Sequence, residues 1–295
     1  MPDPLQPLVA VPNVSEGADH DVLEAIEAAF APARFLDLHA DVDHGRAVYS
    51  LAGHQGELCD GLVSGTAMAL ERIDLTRHEG LHPFAGALDV MPIVYLDEEQ
   101  RAAACAETLA AAGRIGAELE LPVILYGDLA TRPEHHERAD LRRGGWRGLA
   151  ARIESGEVVP DFGPRRVHPT GGALLAAARP PLVAFNVDLV ADDVGLATTI
   201  AAELRESGGG MPGVRAMGLR LDARARAQVS TNVHDHRSVR LAEIVEFVRD
   251  RARIAEAELV GLAPEAAFEG FPDDVPLRGF APERHLLENA LRSLA

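Results

Sequence analysis

The chain has no lysine. All 28 of its basic side chains are arginine, against 46 acidic ones, for a formal net charge of −18 over 295 residues. That field excludes nucleic acid and anionic membrane as partners. It also opposes an anionic small ligand, so such a ligand would need a local arginine cluster. The missing lysines, with the abundant alanines, read as codon bias and carry no function. Cysteine is nearly absent too: Cys59 and Cys105 each stand alone in a helix-like stretch, which excludes a disulfide framework and favours buried thiols over a reactive site. No run approaches the roughly 20 apolar residues of a spanning helix. Met1-Pro2-Asp3-Pro4 lacks the basic and apolar stretches of a secretory signal, so a cytoplasmic location is the expectation. No phosphate-binding glycine loop, Gly-x-Ser-x-Gly or His-Glu-x-x-His pattern occurs, which weighs against nucleotide binding, a serine hydrolase and a zincin. Gly208-Gly209-Gly210 reads as a helix stop.

What is present is an ordered alternation of apolar periods. A strand at 7–11 precedes a helix at 21–30, where Val22, Leu23, Ile26 and Phe30 recur at helical spacing. Strands at 34–40 and 47–52, a helix at 56–75 and a strand at 87–96 follow. The second half repeats this order with a strand at 182–190, a helix at 194–206, strands at 214–221 and 226–233, a helix at 239–255 and a strand at 258–262. Strand, helix, strand, strand, helix, strand is the split βαβ pattern. The expectation is an α/β chain of two ferredoxin-like βαββαβ subdomains, 1–179 and 180–295, arising by structural duplication with a cleft between them. A helix at 97–119, a strand at 123–126, a polar stretch at 132–146 and a long loop at 161–172 lie between the two. A last helix is expected at 283–294.

Five short segments put Gly, Pro, Asn or His beside apolar runs, where the backbone turns and polar side chains converge. They are Val11-Pro12-Asn13-Val14-Ser15-Glu16-Gly17, Asp43-His44-Gly45-Arg46, His82-Pro83-Phe84-Ala85-Gly86-Ala87-Leu88-Asp89, Pro160-Asp161-Phe162-Gly163-Pro164 and Ala227-Gln228-Val229-Ser230-Thr231-Asn232. His82 precedes a proline, which holds it out of the helical region, and imidazole exchanges protons near neutral pH. It is either a proton-transfer group or one of twelve histidines on the surface. His39, Asp41 and Asp43 alternate along a strand beside Arg46 and suit a proton relay with His82 better than a metal site. Asn13, Asn186, Gln228 and Asn232 sit at strand ends, either to bind a ligand or to satisfy backbone.

Together these segments resemble the formiminotransferase family, over nearly the whole chain. The resemblance implies that His82 is the catalytic acid/base, in a segment where the family usually has Arg at the position of Phe84. Arg143, Arg165 and Arg166 are the guanidiniums that could stand in for that loss. It also implies a folate-binding loop formed by Gly163, Pro164, Arg165, Arg166, Val167, His168, Pro169, Thr170, Gly171 and Gly172, with the two arginines facing the carboxylates of the folate tail. Asn13, His39, Asp41, Arg46, Asn186, Gln228 and Asn232 would support the substrates. The implied reaction moves a formimidoyl group from formiminoglutamate to N5 of tetrahydrofolate, the co-substrate, without metal, in a cytoplasmic homodimer serving one-carbon metabolism and histidine degradation. Two alternatives stay open: a related transferase with another formimino or formyl donor, suggested by Phe84, and a folate-binding protein without catalysis.

Overall fold

The computed structural model describes residues 7–78 and 83–294. Its first part runs β1 (Leu8–Ala10), β2 (Asn13–Val14), α1 (His20–Ala29), β3 (Arg34–Asp41), β4 (Arg46–Gly53), α2 (Glu57–Arg72) and β5 (Leu88–Val94). β1 and β2 are halves of one strand position, since both pair antiparallel with β4 and β5. Pro12, which has no N–H to donate, interrupts it. With β3 on the far side of β4, the strands run β3-β4-β1/β2-β5, the order of a split βαβ unit. The chain then adds α3 (Arg101–Glu118), β6 (Val123–Leu125), α4 (Arg138–Leu141), α5 (Gly145–Glu154) and β7 (Leu174–Arg179). β7 lies parallel between β5 and β6 and widens the sheet.

Two cores hold this sheet. Leu23 and Ile26 of α1, Leu58 and Leu62 of α2 and Ile115 of α3 bury against Tyr49, Leu51, Met91 and Leu174. Each such side chain contributes roughly 1.5–3 kcal/mol on burial. On the opposite face Leu141, Leu149 and Ile153 of α4 and α5 cover Val90, Ile124 and Leu175. The β4–β2 end of that face is polar. α1 starts where Asp19 accepts the N–H groups of Asp21 and Val22, a side-chain cap on otherwise unpaired donors.

The second part, from Pro181 onward, runs β8 (Val183–Leu189), α6 (Val194–Leu204), β9 (Val214–Leu221), β10 (Arg226–Val233), α7 (Leu241–Arg249) and β11 (Ile254–Val260). Its antiparallel sheet has the order β11-β8-β10-β9. α6 and α7 bury Ile200, Leu204, Ile244, Val245 and Val248 against Phe185, Val187, Val229 and Leu259. The tail returns to this part: the Ala257 N–H donates to the Pro276 carbonyl and the Arg278 N–H to the Ala257 carbonyl along the β11 edge, and α8 (Pro282–His285) and α9 (Leu287–Arg292) follow.

Several elements differ from the periodicity. The helix expected to reach 255 ends at Arg249, and the strand expected from 258 begins at Ile254. Ala and Glu in Ile-Ala-Glu-Ala-Glu favour helix locally, and pairing with β8 overrides them. The polar stretch at 132–146 holds α4 and the start of α5. β7 has no counterpart in the sequence reading, because Leu-Leu-Ala-Ala-Ala-Arg lacks β-branched residues. The final helix is two short ones, broken at Leu286.

Candidate active site

Segments far apart in sequence meet on the first part. Ser15 donates its hydroxyl to the Gly86 carbonyl at 2.8 Å, and its N–H reaches the Ala87 carbonyl at 2.9 Å. The Arg46 guanidinium donates to Asn13 Oδ1. Gly17 runs so close to the β3–β4 turn that a Cβ there would lie 2.2 Å from the Asp41 carbonyl oxygen. Glu16 Oε1 gathers the N–H groups of Gly17, Ala18 and Asp19. On β3, Asp37, His39 and Asp41 stand opposite Ser50, Val48 and Arg46, so the alternation of side chains puts them on the polar face with Arg46. Asp41 Oδ1 also accepts the His44 N–H. Asp43 lies beyond the strand end, in the turn, and does not share that alternation.

Asp89 is the hub. The register of β2 against β5 slips by one residue between Asn13 and Val14. Asp89 is the extra residue, and the bulge turns it toward the polar face. Its Oδ1 accepts the Ala85 N–H at 2.7 Å, while Oδ2 faces Arg142 and lies 3.3 Å from Arg46 Nη1. Burial works against the charge of both arginines, and Asp89 opposes it. The repulsion of Arg142 adds to the lowering at Arg46. Arg142 and Arg138 were not anticipated. Their spacing of four, from the start of α4 to the residue that caps its end, was the available signal, inside a stretch too polar to read as a helix.

The Gly163–Gly172 loop is pinned at both ends. Asp161 accepts the Leu125 N–H at 2.7 Å, and the Phe162 carbonyl accepts from Val123. At the other end His168 and Gly172 exchange backbone hydrogen bonds, and His168 Nδ1 accepts the Gly171 N–H at 2.9 Å. Gly171 O accepts from Ala87 and Ala85 O from Ala173, so the loop end is stitched to the segment that follows residue 82. Arg165, Arg166 and Pro169 are exposed, while Pro164, Val167 and Thr170 are half-buried. Phe84 meets the His78 ring edge-on, with centroids 4.5 Å apart. Burial lowers the His78 pKa against the pull of Glu16 and Asp89. His82 itself lies outside the described residues.

The second part has its own polar face. Asn186 and Asp188 on β8 and Gln228 and Asn232 on β10 project from the side of the sheet away from the core. Gln228 donates to Asp188 Oδ1 at 2.8 Å, and Asn186 donates to Glu258 Oε2 at 3.3 Å. Arg278 lies 3.4 Å from both Asp188 and Glu256. Burial raises the Asp188 pKa, and the Gln228 hydrogen bond and Arg278 restrain it. Among the described residues no group of three or more His, Cys, Asp or Glu is placed to hold a metal ion. No helix among them is long and apolar enough to cross a membrane.

Residues 8–179 match the family model for the N-terminal subdomain of the formiminotransferase domain, and residues 184–269 match the model for the formiminotransferase domain. A glutamate formimidoyltransferase of Streptococcus pyogenes is 34% identical over 290 residues, covering 95% of this chain and 97% of that protein. One from Thermoplasma acidophilum is 33% identical, covering 87% and 88%. A formimidoyltransferase-cyclodeaminase of Gallus gallus is 36% identical over 273 residues, which is 87% of this chain and 50% of that longer protein.

Proposed function

The chain belongs to the formiminotransferase family, and from that premise we propose that it transfers a formimidoyl group from formiminoglutamate to N5 of tetrahydrofolate. The reading divides the chain into subdomains at 1–179 and 180–295 and places it in the cytoplasm as a homodimer, serving one-carbon metabolism and histidine degradation. What carries it beyond family membership is the stitching of the 168–172 turn to residues 85–87. That stitching ties the proposed folate loop to the segment bearing the proposed acid/base.

In the reaction a bond forms between N5 and the amidine carbon, and the bond from that carbon to the amino-acid nitrogen breaks. One proton leaves N5 and one reaches the departing nitrogen. His82 carries it between them, a role worth about 10² to 10⁴-fold in rate. The 163–172 loop holds the folate, its arginines toward the tail. Asn13, His39, Asp41 and Arg46 in the first part support the substrates, as do Asn186, Gln228 and Asn232 in the second. Phe84, packed on His78 where the family usually has Arg, favours a second reading with a different formimino donor.

The test mixes purified protein with tetrahydrofolate and formiminoglutamate and follows the acid-converted methenyl product by absorbance, with His82→Ala as control. Product that disappears in the control is expected. Turnover unchanged by the substitution rejects the role of His82. No product, with folate binding retained, rejects this donor and points to another or to a binding protein.

A further inference from the structure

Although the chain carries a net charge of −18, guanidiniums crowd one part of its first sheet. The described groups that act most strongly on Arg46 are Arg142, Asp89, Arg138 and Tyr126. On Arg142 they are Asp89, Arg138 and Tyr126, and on Arg179 they are Tyr126 and Arg138. Arg138 lies with its guanidinium carbon 6.0 Å from the centre of the Tyr126 ring. Asp89 thus serves both Arg46 and Arg142, and half of it is committed, because its Oδ1 holds the Ala85 N–H.

The cluster is also incompletely bonded. The Arg142 side chain is only 6% exposed, and its Nε has no hydrogen-bond partner; the buried Nε of Arg179 has none either. A buried N–H left without an acceptor is costly. A carboxylate ligand would give the Arg142 Nε an acceptor, since the planar guanidinium fork matches its two oxygens.

The geometry points to a carboxylate-binding subsite for the amino-acid donor, built on Arg138 of α4 and Arg142 at its C-terminal end, beside Arg46 and anchored by Asp89. It rests on the transferase reading and supplies the guanidinium that Phe84 does not. Two carboxylate sources exist in the reaction, the donor and the folate tail. The donor fits better: Asp89 bonds the cluster to Ala85, three residues past His82. The donor's carboxylates lie a few bonds from its reacting amidine, whereas an aminobenzoyl ring separates the folate tail from N5.

The first measurement is calorimetric titration of formiminoglutamate into the full chain without folate, so that no turnover is needed. Arg142→Gln and Arg138→Gln are each expected to weaken binding by at least about tenfold, and Arg72→Gln, exposed at the end of α2, to leave it unchanged. Arg138 is half-buried and is not bonded to Asp89, so it reports even where Arg142→Gln unfolds. In turnover, both variants should raise KM for formiminoglutamate with little change in kcat, and should match the wild type with formamidine, a donor without carboxylates. Binding absent from the wild type, or unaffected by Arg138→Gln, overturns the subsite. So does a KM effect on tetrahydrofolate that vanishes with tetrahydropteroate, which would assign the cluster to the folate tail. Formiminoglutamate binding that depends on Arg142 and Arg138 without any turnover upholds the subsite and rejects the transferase reading.

Discussion

Asp89 holds the backbone N–H of Ala85 at 2.7 Å, and its other oxygen faces Arg142 and lies 3.3 Å from Arg46 Nη1. One buried carboxylate thus fixes both the segment after residue 82 and the arginines at the end of α4 and on β4. Asp89→Ala would leave those guanidiniums buried without their counterion, at an expected cost of about 3–5 kcal/mol. Asp89→Asn keeps an acceptor for Ala85 and should cost less. Urea denaturation checks both, and an Asp89→Ala loss below about 0.5 kcal/mol would show the pair to be dispensable.

Gly172 sits at φ +68°, and a Cβ there would lie 2.2 Å from the Ala85 carbonyl oxygen. Gly156, at φ +80°, has nothing within 4 Å of the same atom. Alanine at Gly156 should therefore cost only the backbone strain, about 1 kcal/mol. Alanine at Gly172 must also push the loop off the 85–87 segment, so it should cost at least about 2 kcal/mol and weaken folate binding. Equal losses at the two sites would mean that the close approach contributes nothing.

Acid should destabilise the fold through its buried histidines. His135 is fully buried, and neither ring nitrogen has a hydrogen-bond partner. Burial holds its pKa below the ordinary value, and the nearby Asp161 offsets this only in part. His78 and His236 are lowered by the same cause. In the unfolded chain each takes up a proton near pH 6.5, while the folded protein resists until lower pH. The unfolded state binds more protons in that window, so stability falls as the pH drops from about 6.5 toward the lowered folded values. His135→Leu should flatten unfolding free energy against pH over that range. A slope identical to the wild type would remove His135 from the account.

Periodicity revealed most of the scaffold because each βαββαβ half alternates elements with distinct periods and buries one face of each. Arg34 to Asp41 and Arg226 to Val233 could be read for that reason. β7 and the first half of β11 could not, since alanine-rich strands take their conformation from the partners they pair with. The site was legible where turn chemistry forces Gly, Pro or Asn, as in the segments around Asn13 and Gly172. Arg142 was not, because its role comes from a bulge at Asp89 that no local pattern announces. Asp43 was misplaced by extending the strand alternation past Asp41 into a turn.

Arg165 and Arg166 separate folding from binding more sharply than any buried residue. Both are exposed in the middle of a loop whose ends are held by other groups: Asp161 at one end, and His168 with Gly172 at the other. Replacing both with Gln should change stability by no more than about 0.5 kcal/mol. If they face the anionic folate tail, the double variant should bind polyglutamylated folate more weakly and lose part of the salt dependence, since exposed charges are screened over about 10 Å at 0.1 M salt. Its affinity for tetrahydropteroate, which keeps one benzoate carboxylate but lacks those of the glutamate tail, should fall much less. Titrations of both ligands at two salt concentrations check this. Equal weakening for both would place the arginines against the ring system, and no weakening of either would remove them from the folate site.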